Sequence, residues 1–358
     1  MHNGGTAVNK EAIKQFAEKV YVDMAGAMAT GMAYVGVKTG LFRAMAGKGP
    51  MGAGYVAEVS GLQSRYVEEW LKGMSSAGYL HYDAVSQTFE LPAEHSYLLT
   101  SEGTDHFVGG LFQFAPVALR IAPKVAEAFE KGGGVKFEEF GPDCVSALDM
   151  INAGQYEQRL GSYWLTKLPD VAARLEQGGR VLDVGCGVGR VGITIAKTFP
   201  KCEVVGLDPD AGSVRQARHS AEAAGVSDRV HFLAQTTKDY RSDGGFDLIT
   251  ACDCMHDFSA PERTLAEIRS LLRPDGVLFV IEPKAADRLE DNINSLATVY
   301  YGFSIFHCMT QSLAEGGPGL GTCMGPSKTK HLLADAGFSR VEQLDIKSQT
   351  NLFYAARL

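Results

Sequence analysis

The stretch Arg180-Val181-Leu182-Asp183-Val184-Gly185-Cys186-Gly187-Val188-Gly189-Arg190 decides the fold of this chain. Val181, Leu182 and Val184 suit a strand buried on both faces, and Asp183 closes it. Gly185, Gly187 and Gly189 then let the backbone turn tightly beside a ligand. The residues from Val191 to Phe199 continue as a helix, so the stretch is the first strand–turn–helix unit of a doubly wound α/β sheet. Such sheets bind their ligands at the carboxyl ends of the strands.

The spacing of the glycines selects the ligand class. A dinucleotide fingerprint, G-x-G-x-x-G counted from Gly185 and Gly187, needs glycine at position 190, where the chain has Arg190. This disfavours a nicotinamide-dependent oxidoreductase. The pattern present, D-x-G-x-G-x-G, resembles the first motif of class I S-adenosylmethionine (SAM)-dependent methyltransferases. The resemblance implies SAM as cofactor, held by Asp183, Gly185, Cys186, Gly187 and Gly189. Roughly 20 residues further on, the strand Glu203–Leu207 ends at Asp208-Pro209, where an acid can accept hydrogen bonds from two ribose hydroxyls. Asp208 is the expected ribose ligand, and its competing use is a helix N-cap, with Asp210 as rival cap.

The later strands carry the rest of the site. Arg229–Ala234 ends at Gln235-Thr236-Thr237, the slot in which the family often places an acid for the adenine amino group. Thr236 or Thr237 stands there, with Asp239 nearby as a substitute. The fourth strand, Phe246–Ala251, leads into Cys252-Asp253-Cys254-Met255-His256-Asp257-Phe258. Met-His-Asp-Phe resembles the Leu-His-Asp-Trp segment of plant-type and bacterial small-molecule O-methyltransferases, which implies His256 as general base. Glu282, at the end of the strand Val277–Ile281, falls where those enzymes keep an acid that orients the histidine, and Asp257 accompanies it. Asp253 is expected near the methionine end of SAM. Imidazole titrates near neutrality and suits proton removal from a hydroxyl. The second glutamate of the plant-type enzymes has no counterpart in Gly321-Thr322-Cys323-Met324-Gly325, so N-, S- and C-methylation stay open beside O-methylation.

Upstream, Leu41–Thr100 reads as three helices and a hairpin, Tyr79–Tyr82 against Thr88–Leu91: a winged helix. Its groove-entering helix would carry Glu68 and Glu69 against Arg65 and Lys72. The surplus of cations that phosphate binding needs is missing. A dimerisation module and substrate wall is the preferred reading; a DNA-binding regulator that senses SAM or a small ligand without catalysis is the alternative. Ile13, Phe16, Ala17, Val20 and Tyr21 form one helical face ahead of the uncharged, Gly-interrupted 25–37, which by itself is too short to span a bilayer. These apolar helices suggest a homodimer, with packing inside the monomer as the other reading.

The expected architecture is thus α/β: a mainly helical winged-helix dimerisation domain (1–108), a helical connector and pocket roof (109–178), and a Rossmann-like, seven-stranded class I methyltransferase domain (179–358). Tyr156, Trp164, Tyr300 and Phe303 are candidates to line the site of a small-molecule acceptor, and 315–325 reads as a flap over it. The net charge of -8 over 358 residues gives no general attraction for nucleic acid or an anionic membrane. Seven scattered cysteines and a start, Met-His-Asn-Gly-Gly, without a basic region leading into an apolar one are the reading for a cytoplasmic protein. No metal is expected: Cys252, Cys254, Cys308 and Cys323 match no zinc spacing and read as buried thiols rather than as a soft-metal site.

Overall fold

A computed structural model of the protein describes residues 8–358, so the Met-His-Asn-Gly-Gly start lies outside the described residues. The chain divides into two compact units, one built from residues up to 102 plus 106–116, the other from 103–105 plus 117–358. The stretch read as a connector is therefore shared out at residue 117, within a single helix.

In the first unit, helix α1 (Lys10–Thr39) starts where the Asn9 carboxamide oxygen accepts the amides of Glu11 and Ala12, and ends at Gly40 with φ of 76°. The uncharged 25–37 is the second half of this unbroken 30-residue helix, which by length and composition is able to cross a membrane. Its glycines do not interrupt it, because one helical glycine costs only about 1 kcal/mol. The last turns pack inward through Ala29, Ala33, Gly36 and Val37, and the Trp70 indole donates to the Met32 carbonyl at 2.8 Å. Ile13, Phe16, Val20, Tyr21, Met24 and Met28 are exposed.

Helices α2 (Leu41–Met45), α3 (Ala53–Ser60) and α4 (Ser64–Ser76) follow, and α4 buries Val67, Trp70, Leu71 and Met74, one stripe of an amphipathic helix. The wing pairs β1 (His81–Asp83) with β2 (Thr88–Glu90), Tyr82 opposite Phe89. It is shorter than the sequence suggests because the amides of Tyr79 and Leu80 are used on the Met74 carbonyl, closing the end of α4. Helix α5 (Ala93–Leu99) completes the unit, and α6 (Gly109–Lys131) contains the dividing point.

The second unit continues with α7 (Pro142–Gln155), which widens into a π-helical segment, Tyr156–Trp164, and then α8 (Pro169–Glu176). After it come β3 (Arg180–Val184), α9 (Arg190–Thr198), β4 (Glu203–Asp208), α10 (Ala211–Ala223), β5 (Val230–Ala234), β6 (Phe246–Cys252), α11 (Pro261–Leu271) and β7 (Leu272–Pro283). The chain closes with α12 (Ser295–Phe303), a second π segment (Ser304–Cys308), α13 (Met309–Ala314), α14 (Pro326–Asp335), β8 (Arg340–Gln343) and β9 (Asn351–Arg357).

Its sheet has seven strands in the order β5-β4-β3-β6-β7-β9-β8, with β9 antiparallel to its neighbours on both sides. The chain moves outward from β3 through β4 to β5, then returns to lay β6 on the other side of β3. That reversal opens a crevice at the carboxyl ends of β3 and β6. Arg273-Pro274-Asp275-Gly276, expected as a turn before the strand, lies within β7 as a bulge: Phe246 faces Leu272 while Leu248 faces Val277. Asp247 explains the bulge. Its buried carboxylate accepts the Arg180 amide at 2.8 Å and the Arg273 guanidinium at 2.7 and 2.8 Å, tying β3, β6 and the bulge together.

Asp247 is buried while the Arg273 side chain is 43% exposed, so removing the Asp247 carboxylate strands no buried charge and mainly leaves the Arg180 amide without its acceptor. Asp247→Ala is therefore expected to lower unfolding stability by about 1–3 kcal/mol in chemical denaturation, and Asp275→Ala, on the exposed tip of the same bulge, to cost under about 1 kcal/mol.

Candidate active site

The glycine turn is built around Asp183. Its side chain is buried at the end of β3, Oδ1 accepts the Thr250 hydroxyl at 2.8 Å, and Oδ2 is buried without a hydrogen bond. Burial pushes this carboxyl up to about 7, with the Thr250 bond and then the nearby Gly192 amide working the other way and the Asp208 charge adding to the rise. The amides of Gly185 and Cys186 both donate to the Leu207 carbonyl, and the Gly187 amide donates to Asp208 Oδ2 at 2.9 Å. Gly187, at φ of 50°, has open space where a Cβ would stand. Gly185, at φ of 69°, has Cys254 where its own Cβ would be, 2.9 Å away. Cys186 gives the turn its backbone and a long thiol contact to the Gly187 carbonyl at 3.9 Å, while its side chain packs in the main core.

Asp208 is no helix cap. Asp210 takes that task, its Oδ2 accepting the Ser213 amide at 2.6 Å, while Asp208 Oδ1 accepts the Asp210 amide at 2.9 Å. Burial raises the Asp208 pKa, and the Asp210 and Gly187 amides pull against that rise. Pro209 is exposed beside it. Beyond β5, the Thr237 hydroxyl is buried and donates to Glu267 on α11 at 2.6 Å, so it stitches loop to helix. Thr236 is exposed and donates to Asp239 at 2.9 Å.

Asp253 follows β6 in a left-handed conformation, φ of 50°, one of two non-glycine residues with positive φ among the described residues. Both of its oxygens are held: Tyr156 donates its hydroxyl at 2.6 Å and Asn351 its side-chain amide at 2.8 Å. Burial pushes this carboxyl up to about 6, against the Tyr156 bond. The wide π turn at Tyr156 aims the hydroxyl at Asp253. Trp164, at the other end of that segment, lies in the core against Phe353 with its ring edge-on to Tyr156.

His256 sits in a short 3₁₀ turn, Met255–Asp257, after β6 and is 3% exposed. Its Nδ1 donates to Glu282 Oε2 at 2.6 Å, and Glu282 Oε1 accepts the Met255 amide at 3.1 Å. Its Nε2 stands 3.5 Å from Asp257 Oδ1 and beside the Cys308 thiol. Burial opposes a charge on the ring, yet Glu282 and then Asp257 outweigh it and hold the imidazole well above its ordinary 6.5. The Gly321 amide donates to the His256 carbonyl, which brings the glycine-rich 315–325 against the histidine. Tyr300 donates to the Thr350 carbonyl at 2.6 Å, and Phe303 is half-buried on the same helix.

Three participants escaped the sequence reading. Asn351 opens β9, nearly a hundred positions from Asp253, with no local pattern to mark it. Cys308, read from the sequence only as a buried thiol, reaches His256 from a π segment. Arg190 pairs with Asp149 at 3.0 and 2.6 Å and with Glu157, joining α9 to α7 and the segment after it; the sequence marked it only as a non-glycine. A cavity of about 420 Å³ lined by Lys167, Asp170, Arg340 and Arg357 lies at the opposite end of the sheet, where Arg357 pairs with Val277 at the start of the central part of β7, and has no part in this site.

Residues 175–337 match the family described as "Methyltransferase domain", and 27–101 the "Rv2258c-like winged HTH domain". The chain carries a class I methyltransferase domain. A winged helix-turn-helix domain precedes it. The ubiquinone biosynthesis O-methyltransferase of Xanthomonas axonopodis is 33% identical over 117 residues, 32% of this chain and 47% of its own. The Penicillium fellutanum methyltransferase phqN is 30% identical over 125 residues, 33% of this chain and 36% of its own. The chain thus spans about a quarter to a half of the length of the curated relatives it matches. Among solved structures, human N-acetylserotonin methyltransferase in complex with SAM superposes with a TM-score of 0.66 at 19% identity, covering 99% of both chains. Mitomycin 7-O-methyltransferase MmcR gives 0.68 at 16% identity over 98% of this chain and 100% of its own. At these identities the likeness speaks for the fold alone.

The methyltransferase domain fits SAM by its own chemistry. A buried carboxylate oxygen with no partner, an open glycine at the mouth of the turn and a second strand-end acid stand in the crevice that the sheet topology creates.

The His256–Glu282 contact makes a pKa prediction. Because the folded pKa is raised, the histidine contributes stability that is fully present below 6.5 and is lost as pH rises through the folded value. In Glu282→Gln the imidazole pKa, followed by NMR on labelled histidine, is expected to fall toward 6.5 and this loss of stability with rising pH to shrink. An unmoved pKa would remove Glu282 as its cause.

Proposed function

We propose that the protein is a SAM-dependent methyltransferase that methylates a hydroxyl of a small-molecule acceptor, with His256 as general base. The observation that carries this reading is the 2.6 Å contact of His256 Nδ1 with Glu282 Oε2 at the carboxyl end of the sheet. That contact leaves Nε2 as the nitrogen able to take a proton. SAM, when bound, supplies a methyl carbon on a sulfonium for in-line displacement.

The chain's own residues then bind, align and accept a proton. The Gly185–Gly189 backbone and Asp183 would cradle the cofactor, Asp208 with Pro209 would meet its ribose, and Asp253, held by Tyr156 and Asn351, would meet its methionine end. Thr237 is already bonded to Glu267, so Thr236 with Asp239 is the better adenine-side pair. His256 takes the acceptor proton at Nε2, and Glu282 and Asp257 stabilise the imidazolium that forms. Tyr300 and Phe303 on α12, with Tyr156, wall the acceptor side; Trp164, expected there from the sequence, lies in the core and only backs the Tyr156 ring.

The exposed apolar turns of α1 support a homodimer, the arrangement that would cover Ile13, Phe16, Val20 and Tyr21. Against nucleic acid as a partner, Arg65 and Lys72 on α4 are paired with Glu69 and Glu68. A cytoplasmic location without membrane insertion follows from the same reading.

Calorimetric titration tests the cofactor claim: wild type binds SAM and S-adenosylhomocysteine, and Asp208→Ala loses at least about tenfold in affinity, the weight of one charge-assisted hydrogen bond. Absence of binding by the wild type would overturn the reading.

His256→Ala is expected to keep SAM binding and lose about 10²–10⁴ in kcat. Since a base must be neutral to act and this imidazole is held above 6.5, kcat measured with a chelator present should rise with pH through a value above 6.5. Asp257→Asn should move that rise to lower pH.

A further inference from the structure

His256 Nε2, Asp257 Oδ1 and Cys308 Sγ all lie within 4.8 Å of one another, brought together from the turn after β6 and the π segment after α12. They are an imidazole, a carboxylate and a thiol, three donors of the kind that take a borderline-soft divalent ion such as Zn²⁺ or Co²⁺ and not Mg²⁺ or Ca²⁺. Around tetrahedral zinc such donors stand roughly 3.3–3.8 Å apart. The His256–Asp257 pair, at 3.5 Å, already has that separation.

Two further observations point to an ion. Asp257 Oδ1 is buried and makes no hydrogen bond, so one donor atom stands ready. The opposite ring nitrogen of His256 donates to Glu282 at 2.6 Å, the carboxylate–histidine arrangement that orients a metal-bound imidazole and raises its basicity. The Asp257 side chain is 23% exposed, which gives the cluster a face toward solvent.

We propose that His256, Asp257 and Cys308 form a Zn²⁺-class site whose occupation switches methyl transfer off. The inhibitory part rests on the reading of His256 as general base: the ion bonds to the Nε2 lone pair that would otherwise accept the acceptor's proton. Binding displaces the thiol proton of Cys308, and the Nε2 proton where the ring is charged, to solvent. No electron transfer is involved. The fourth position of a tetrahedral ion is left to water.

The test uses full-length protein stripped with chelator and titrated with Co²⁺. A saturable, equimolar rise of thiolate-to-cobalt charge-transfer absorption, reversed by Zn²⁺, is expected. It should vanish in Cys308→Ser and weaken at least about tenfold in Asp257→Asn and in Glu282→Gln. It should persist in Cys202→Ala, which removes a thiol from the far core. Circular dichroism checks that each variant is folded, and Asp257→Asn decides the matter if Cys308→Ser is not.

No saturable absorption, or a band that survives in folded Cys308→Ser, would overturn the site. A site that fills without loss of methyl transfer would overturn its inhibitory role. A stripped enzyme without methyl transfer on any acceptor would instead sink the base reading, and the cobalt spectrum would still decide the site.

Discussion

Four carboxylates, two buried and two half-buried, share one crevice, and the arrangement of the methyltransferase domain depends on keeping each of them tolerable there. Asp183 ends β3, Asp208 ends β4, Asp253 follows β6 and Glu282 lies near the end of β7. Like charges in a poorly solvated region repel, and burial lifts the proton affinities of Asp183, Asp208 and Asp253. Each is relieved by a different device. Asp183 has one threonine and an idle oxygen, Asp208 has two backbone amides, Asp253 has a tyrosine and an asparagine, and Glu282 has a backbone amide and an imidazole. The least satisfied of them, Asp183, is also one of those that face the glycine turn, where a cationic cofactor would relieve it.

The two π-helical segments serve the same end. A helix that gains a residue within one turn re-aims the side chains on that turn, and the gain is usually kept for function because it costs regular hydrogen bonding. At Tyr156 the widened turn turns a phenol toward Asp253, and at Cys308 it brings a thiol beside His256. The glycine-rich 315–325 completes the cover over the histidine through one backbone bond, Gly321 to His256.

Much of this was legible in order along the chain. Asp183 and the glycines are a contiguous pattern, Asp208 lies one strand-and-turn beyond it, and His256 with Asp257 follows the fourth strand directly. Each sits where a buried strand stops, and strands of Val, Ile and Leu announce themselves by composition. The pairing of Glu282 with His256 was readable because parallel neighbours end at the same level. The boundaries moved where backbone groups found local uses: Tyr79 and Leu80 close α4 instead of extending the wing, and Arg273–Gly276 folds into β7 because Asp247 holds Arg273. The apolar stretch 25–37 ran on into a long helix because nothing ahead of it stops a helix until Asn9.

What the sequence by itself determined is the order of units and the chemistry at each strand end, because both are written in short-range patterns of apolar runs, glycines and acids. Only the tertiary structure decided which partner each acid received. Asn351 reaches Asp253 from the last strand, Thr250 takes Asp183 from the neighbouring strand, Thr237 is diverted to Glu267, and Cys308 arrives beside His256 from another helix. The physical reason is that a buried polar atom must bond to whatever packing brings within about 3 Å, and packing joins residues that no local spacing relates.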